Sequence, residues 1–108
     1  MKLLVITKPK DTLSALPPAI TRQLLEVTVA AIRQQKKEGK ILESYYSPAG
    51  CSVVILDYKE AEEWIQDQAS VPILSYYHQE VYPIADMETS MQSLVEGLKK
   101  AESIMASK

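Results

Sequence analysis

A chain of 108 residues with a formal net charge of −2 has the length of one domain and no basic surplus, which argues against nucleic acid as a main partner. Cys51 is the only cysteine, so neither a disulfide framework nor a paired-cysteine metal site is available. No stretch approaches a membrane span, and the apolar run 3–6 is too short for a signal peptide, so a reducing cytoplasm is the expected location.

Leu3, Leu4, Val5 and Ile6 read as a buried strand closed by Pro9. A loop over 8–16 follows, long enough to serve as a lid or only as a connection. Pro17 and Pro18 suit the first turn of a helix, where a missing N–H costs nothing. That helix should run from about Pro18 to Glu38. Ile20, Leu24, Val27, Ala31 and Gln35 fall at helical spacing, and Leu25, Val29 and Ile32 widen the stripe. Lys36 and Lys37 suit its dipole, and Gly39 should end it.

A second strand is expected from Lys40, then a turn at Pro48, Ala49 and Gly50. The run 52–58, SVVILDY, is β-branched and apolar, as a central strand should be. These two strands should form a hairpin. Asp57 with Glu60 has the spacing of a capping box for a helix that carries Ala61, Trp64, Ile65 and Gln68 to about Ala69. Trp64 reads as core. After a linker at Pro72, the segment 75–84, SYYHQEVYPI, reads as a strand. Tyr76, His78, Glu80, Tyr82 and Ile84 would then share one face, with Tyr77, Gln79, Val81 and Pro83 on the other. Asp86 should cap a last helix in which Met87, Met91, Leu94, Leu98 and Met105 recur at spacings of four and three.

The order β-α-β-β-α-β plus a C-terminal helix predicts an α+β fold with an antiparallel sheet in a ferredoxin-like arrangement. It makes a single domain over 1–108, with its core at 1–86 and the final helix at 87–106. Two helices on one sheet face leave the other face uncovered. A second copy laid sheet against sheet would cover it, so a homodimer or larger homo-oligomer is expected. The last helix could serve the same end by reaching onto a partner.

EGKILESYYSPAGCSVVILDY followed by a helix and SVPILSYYHQEVYPI resembles the muconolactone isomerase family and its small relatives. Gly39, Ala49, Gly50, Pro72, Ile73, Leu74, Tyr76, Glu80 and Val81 fall at the places of that family's turns and its Leu-Pro-Leu-x-Pro-Tyr run, and the likeness covers about residues 2–86. It implies a ferredoxin-like protomer paired into a dimeric α+β barrel. The implied activity moves a proton and a double bond within an unsaturated lactone, with no metal and no organic cofactor. The departures lie at the chemistry. Val27, Thr28, Val29 and Ala30 occupy the middle of the first helix, where the isomerase carries charges. His78 and Tyr82 stand at acidic positions, and Ser75 replaces the second proline of the run.

An allylic isomerase needs a base and an acid with pKa values near neutrality. Glu80, buried in a barrel, would have its pKa lifted, and His78 lies two residues away on the same face. These two are the candidate catalytic pair. The alternatives are a structural bond for Glu80 and an exposed strand position for His78. Tyr45, Tyr46, Tyr76 and Tyr82 are candidates for lining a substrate pocket. The competing role is plain core or interface, since the chain has no phenylalanine. One histidine without a second ligand at fixed spacing gives no metal site, and Cys51 has no evident base. Two functions follow: a cofactor-free isomerase acting on a small unsaturated lactone or enolisable acid, and a non-catalytic small-molecule-binding or assembly protein on the same fold. A third is a related barrel oxygenase, for which no heme signature is present.

Overall fold

The computed structural model describes residues 1–107. Strands β1 (Lys2–Pro9), β2 (Ile41–Tyr46), β3 (Ser52–Asp57) and β4 (Tyr77–Ile84) form one antiparallel sheet in the order β2-β3-β1-β4. The apolar run of β1 and the β-branched run of β3 thus occupy the two interior positions. Helices α1 (Asp11–Ser14), α2 (Pro18–Lys37) and α3 (Ala61–Ala69), a 3₁₀ turn (Pro72–Tyr76) and α4 (Met87–Ala106) complete the chain.

Alternation along β1 decides the two faces of the sheet. Leu3, Val5 and Thr7 are buried beneath the helices, while Leu4, Ile6 and Lys8 point away from them. Leu3, Val5, Ile41, Leu56 and Tyr58 make the central cluster, with Ile32, Val54, Trp64 and Val81 packed at its margin. Leu4, Ile6 and Lys8 lie on the other face with Val53 and Ile55.

Local signals set most element ends. Pro17 and Pro18 open α2. Gly39, at φ +75°, closes it: its N–H donates to the Lys36 carbonyl at 3.1 Å, and the Lys40 N–H reaches back to Gln35 at 2.9 Å. Asp86 caps α4 by accepting from the Thr89 N–H at 3.0 Å.

Four local expectations fail. Part of the 8–16 loop coils into α1. Asp57 does not cap α3; it ends β3 and meets the Met1 amino group at 3.5 Å, while Glu60 takes the cap position without a side-chain bond. Tyr76 is not on a strand, because Pro72 opens a 3₁₀ turn that runs through it and β4 begins only at Tyr77. In α2 the half-buried stripe is Thr21, Leu24, Thr28, Ala31, Ile32 and Gln35, while Ile20 and Val27 are exposed. No residue of α2 or α3 is fully buried, because both helices stand off the sheet.

Candidate functional site

Two places in the molecule gather chemistry, one on each face of the sheet. Register defines the open face. His78 lies opposite Lys8, Glu80 opposite Ile6, and Tyr82 opposite Leu4. On the other side of β1, Val53 and Ile55 pair with Ile6 and Leu4, and Tyr45 and Glu43 on β2 pair with Val53 and Ile55 in turn. The face is an apolar strip flanked by two phenol–carboxylate pairs. Tyr82 donates its hydroxyl to Glu80 at 3.0 Å, and Tyr45 donates to Glu43 at 2.7 Å. Each bond holds the phenolic proton, so both Tyr82 and Tyr45 titrate above the ordinary tyrosine range. Lys8 Nζ lies 3.9 Å from Glu80. His78 is exposed, and among the described residues no hydrogen bond or ion pair joins it to Glu80.

The second place lies between the sheet and its helices. The standoff of α2 and α3 leaves a half-open cavity of about 470 Å³. Val5, Val54 and Leu56 form its floor, Leu25, Thr28 and Ile32 its roof, and Trp64, Ile73 and Leu74 one end. The walls are mainly apolar with a few polar points, the usual make-up of a small-molecule pocket. The Thr7 and Ser52 hydroxyls bond to each other on the floor. Burial pushes the Tyr77 phenol up, with smaller contributions from Tyr46 and Cys51. Trp64 Nε1 is buried, and among the described residues it has no acceptor.

Asp67, also on the wall, is already engaged. It accepts the Tyr58 hydroxyl at 2.7 Å and lies 3.0 Å from Lys40 Nζ. Lys40 also meets Glu38 at 2.9 Å and Glu63 at 3.1 Å, and sits over the Tyr58 ring at 5.5 Å. The Glu38 bond, then the Asp67 bond, raise the Lys40 pKa far above its usual value, while the same contact with Lys40 lowers that of Glu38. These carboxylates balance a lysine that is largely buried. Among the described residues no group of three or more His, Cys, Asp or Glu side chains is arranged to hold a metal ion, and no helix is long and apolar enough to cross a membrane.

The four candidate tyrosines therefore do not share one pocket. Tyr45 and Tyr82 stand on the open face, Tyr46 reaches the cavity rim from the opposite face, and Tyr76 sits in the 3₁₀ turn. Glu80 and His78 are on the open face and touch no part of the cavity. The loop over 8–16 does not cover the cavity; α1 flanks a neighbouring groove along α2. Thr7, Ser52, Trp64 and Tyr77 were missed as site residues. Alternation alone puts Thr7 under the helices with Leu3 and Val5, and Tyr77 on the face opposite His78, so part of this wall was readable. The standoff that opens the cavity was not. No family model matches the chain, and no curated protein matches it.

Proposed function

We propose that this protein binds a small, uncharged, largely apolar molecule in the cavity between sheet and helices, on a ferredoxin-like protomer that works as a homodimer. The cavity carries the reading. The half-open space of about 470 Å³ is reached by solvent, and its walls of leucine, valine and isoleucine offer water few partners, so an apolar ligand can displace that water. Apart from Asp67, which Tyr58 and Lys40 already engage, the polar points are neutral hydroxyls, amides and the Trp64 indole, and Lys40 is committed to its three carboxylates. A carbonyl-bearing neutral ring suits these walls better than a free acid. The strand order β2-β3-β1-β4, with α2 and α3 on one face, supports the ferredoxin-like description. The apolar strip of Leu4, Ile6, Val53 and Ile55 supports a sheet-against-sheet dimer.

Trp64 is the only tryptophan and lies on the cavity wall, so its emission reports occupancy. Neutral lactones and cyclic enones of increasing size should shift it saturably, and the matching free acids should not. Ala31→Phe, which fills the roof, should remove the response while leaving the fold intact. A wild type that responds to none of them, or an unchanged response in Ala31→Phe, overturns the proposal.

A second reading keeps the chemistry on the open face. Glu80, held by Tyr82 and facing the apolar strip, would be enclosed by a sheet-face dimer and become a desolvated base, with His78 beside it. This is the cofactor-free isomerase of the muconolactone type. Its test is deuterium uptake or double-bond migration in unsaturated lactones in D₂O, read by NMR against Glu80→Gln. Equal rates in the two proteins would remove Glu80 from the reaction.

A further inference from the structure

Helix α4 is twenty residues long, about 30 Å, and not one of them is buried. It carries the molecule to 67 Å in its longest dimension, against 30 and 24 Å in the others, and the radius of gyration is 19.1 Å where a compact chain of this length would have about 13 Å. Leu94 and Leu98 are 66% and 63% exposed, and Met87, Met91 and Met105 are comparably bare. A helix in this state is half of an interface.

Its spacing identifies the other half. Residues 87, 91, 94, 98, 101 and 105 are Met, Met, Leu, Leu, Ala and Met, separated by four, three, four, three and four. That alternation is the seam of a coiled coil, and the exposed Val95 and Ile104 extend the apolar surface on its two flanks. From these observations we infer that α4 pairs in parallel with α4 of a second copy of this chain, each seam residue meeting its own counterpart.

Charge selects the direction. Glu88 and Glu102 flank the seam on one side, with Val95 between them. Antiparallel pairing would set Glu88 against the partner's Glu102, twice per dimer. Parallel pairing sets Glu102 beside the partner's Gly97 and leaves Glu88 free of acidic neighbours. Area fixes the strength. At roughly 80–100 Å² for each seam side chain, the pair buries about 1,000 Å², the lower edge for a specific interface. The association should therefore depend on concentration.

Light scattering or sedimentation across a hundredfold range of protein concentration tests this. The wild-type mass should rise with concentration, and Leu94→Glu with Leu98→Glu should halve the mass reached at the top of the range. Far-UV dichroism and Trp64 emission check that the sheet remains folded. A mass unaffected by the two charges overturns the inference. Leu94→Cys in a Cys51→Ser background should give a disulfide-linked dimer on mild oxidation, and Gln92→Cys, off the seam, should not. If the charges halve the mass but Leu94→Cys does not cross-link, α4 docks elsewhere on the partner and parallel pairing is wrong.

Discussion

Helices α2 and α4 are equal in length and similarly amphipathic, yet their surroundings are opposite. α2 is fixed at both ends, by Pro17–Pro18 and by the Gly39 closure, and its half-buried stripe faces a sheet. α4 is capped by Asp86 at its start, and none of its residues is buried. The difference teaches that an apolar stripe states the need for a partner without naming it. For α2 the chain supplies one, because β1 and β3 present Leu3, Val5 and Leu56 beneath it. Even there the fit is loose, and the looseness is the cavity. For α4 the exposed stripe points outside the chain.

The sharpest way to break this comparison is to put the same charge on each stripe. Ile32→Asp places a carboxylate against the central cluster and should cost about 3 kcal/mol in urea unfolding. Leu98→Asp, on a fully exposed stripe, should change the stability of the isolated protomer by less than about 0.5 kcal/mol and act only on association. Equal costs measured in dilute protein would mean that α4 is packed on its own protomer after all.

Next in size is the junction that holds α2 to α3. Lys40 stands just past the end of α2, and Asp67 lies on α3. Asp67→Asn removes one of three carboxylates from a lysine that is only 15% exposed and weakens the Tyr58 bond, for a loss of about 1 kcal/mol. The junction also sets a pH dependence. Lys40 is raised by its bonds to Glu38 and Asp67, and Tyr58 is raised first by burial and then by Asp67. In the unfolded chain the two titrate near about 10.4 and 10. A folded pKa above the unfolded one gives stability that is complete below the unfolded value and drains away as pH climbs toward the folded value. Denaturant midpoints should therefore fall as pH rises above about 10. Asp67→Asn should start lower and fall less steeply. Parallel curves for the two proteins would remove Asp67 from the linkage.

How far all this was legible depends on the range of the interaction. The strands, α2, α3, the Gly39 stop and the Asp86 cap rest on contacts within a few residues, and the sequence carried them. Tyr76 was misplaced because a proline favours the start of a 3₁₀ turn as readily as a linker, and only the docking of Ile73 decides between them. Asp57 had the right spacing for a cap, but pairing of β3 with β1 brought it to the Met1 amino group instead. The open-face set of His78, Glu80 and Tyr82 was readable, since strand alternation is exact in the pleat. The cavity was not, because it depends on how far α2 and α3 stand from the sheet. No periodicity encodes that distance. The same gap explains why Ile20 and Val27 share a helical face in the sequence yet lie outside in the fold.

The finest test of the comparison uses one glycine from each helix. Gly39 closes α2 with a positive φ, and an added Cβ would meet nothing, so the objection to Gly39→Ala is purely conformational. It should cost about 1 kcal/mol. Gly97 sits in the middle of α4 with ordinary helical backbone and equally open space around its Cβ position. Gly97→Ala should favour the helix by about 0.5–1 kcal/mol, because alanine gives up less backbone freedom than glycine. In a protomer whose α4 packs on nothing, that gain should appear as greater helical dichroism, with no change in the urea midpoint of the sheet. In a chain that pairs through α4, the same gain should also tighten association, by up to about fivefold for 1 kcal/mol. Gly97 flanks the seam rather than filling it, so a methyl there adds helix without blocking the partner. Greater helicity with weaker association would place Gly97 inside the interface and shift the seam by one helical position.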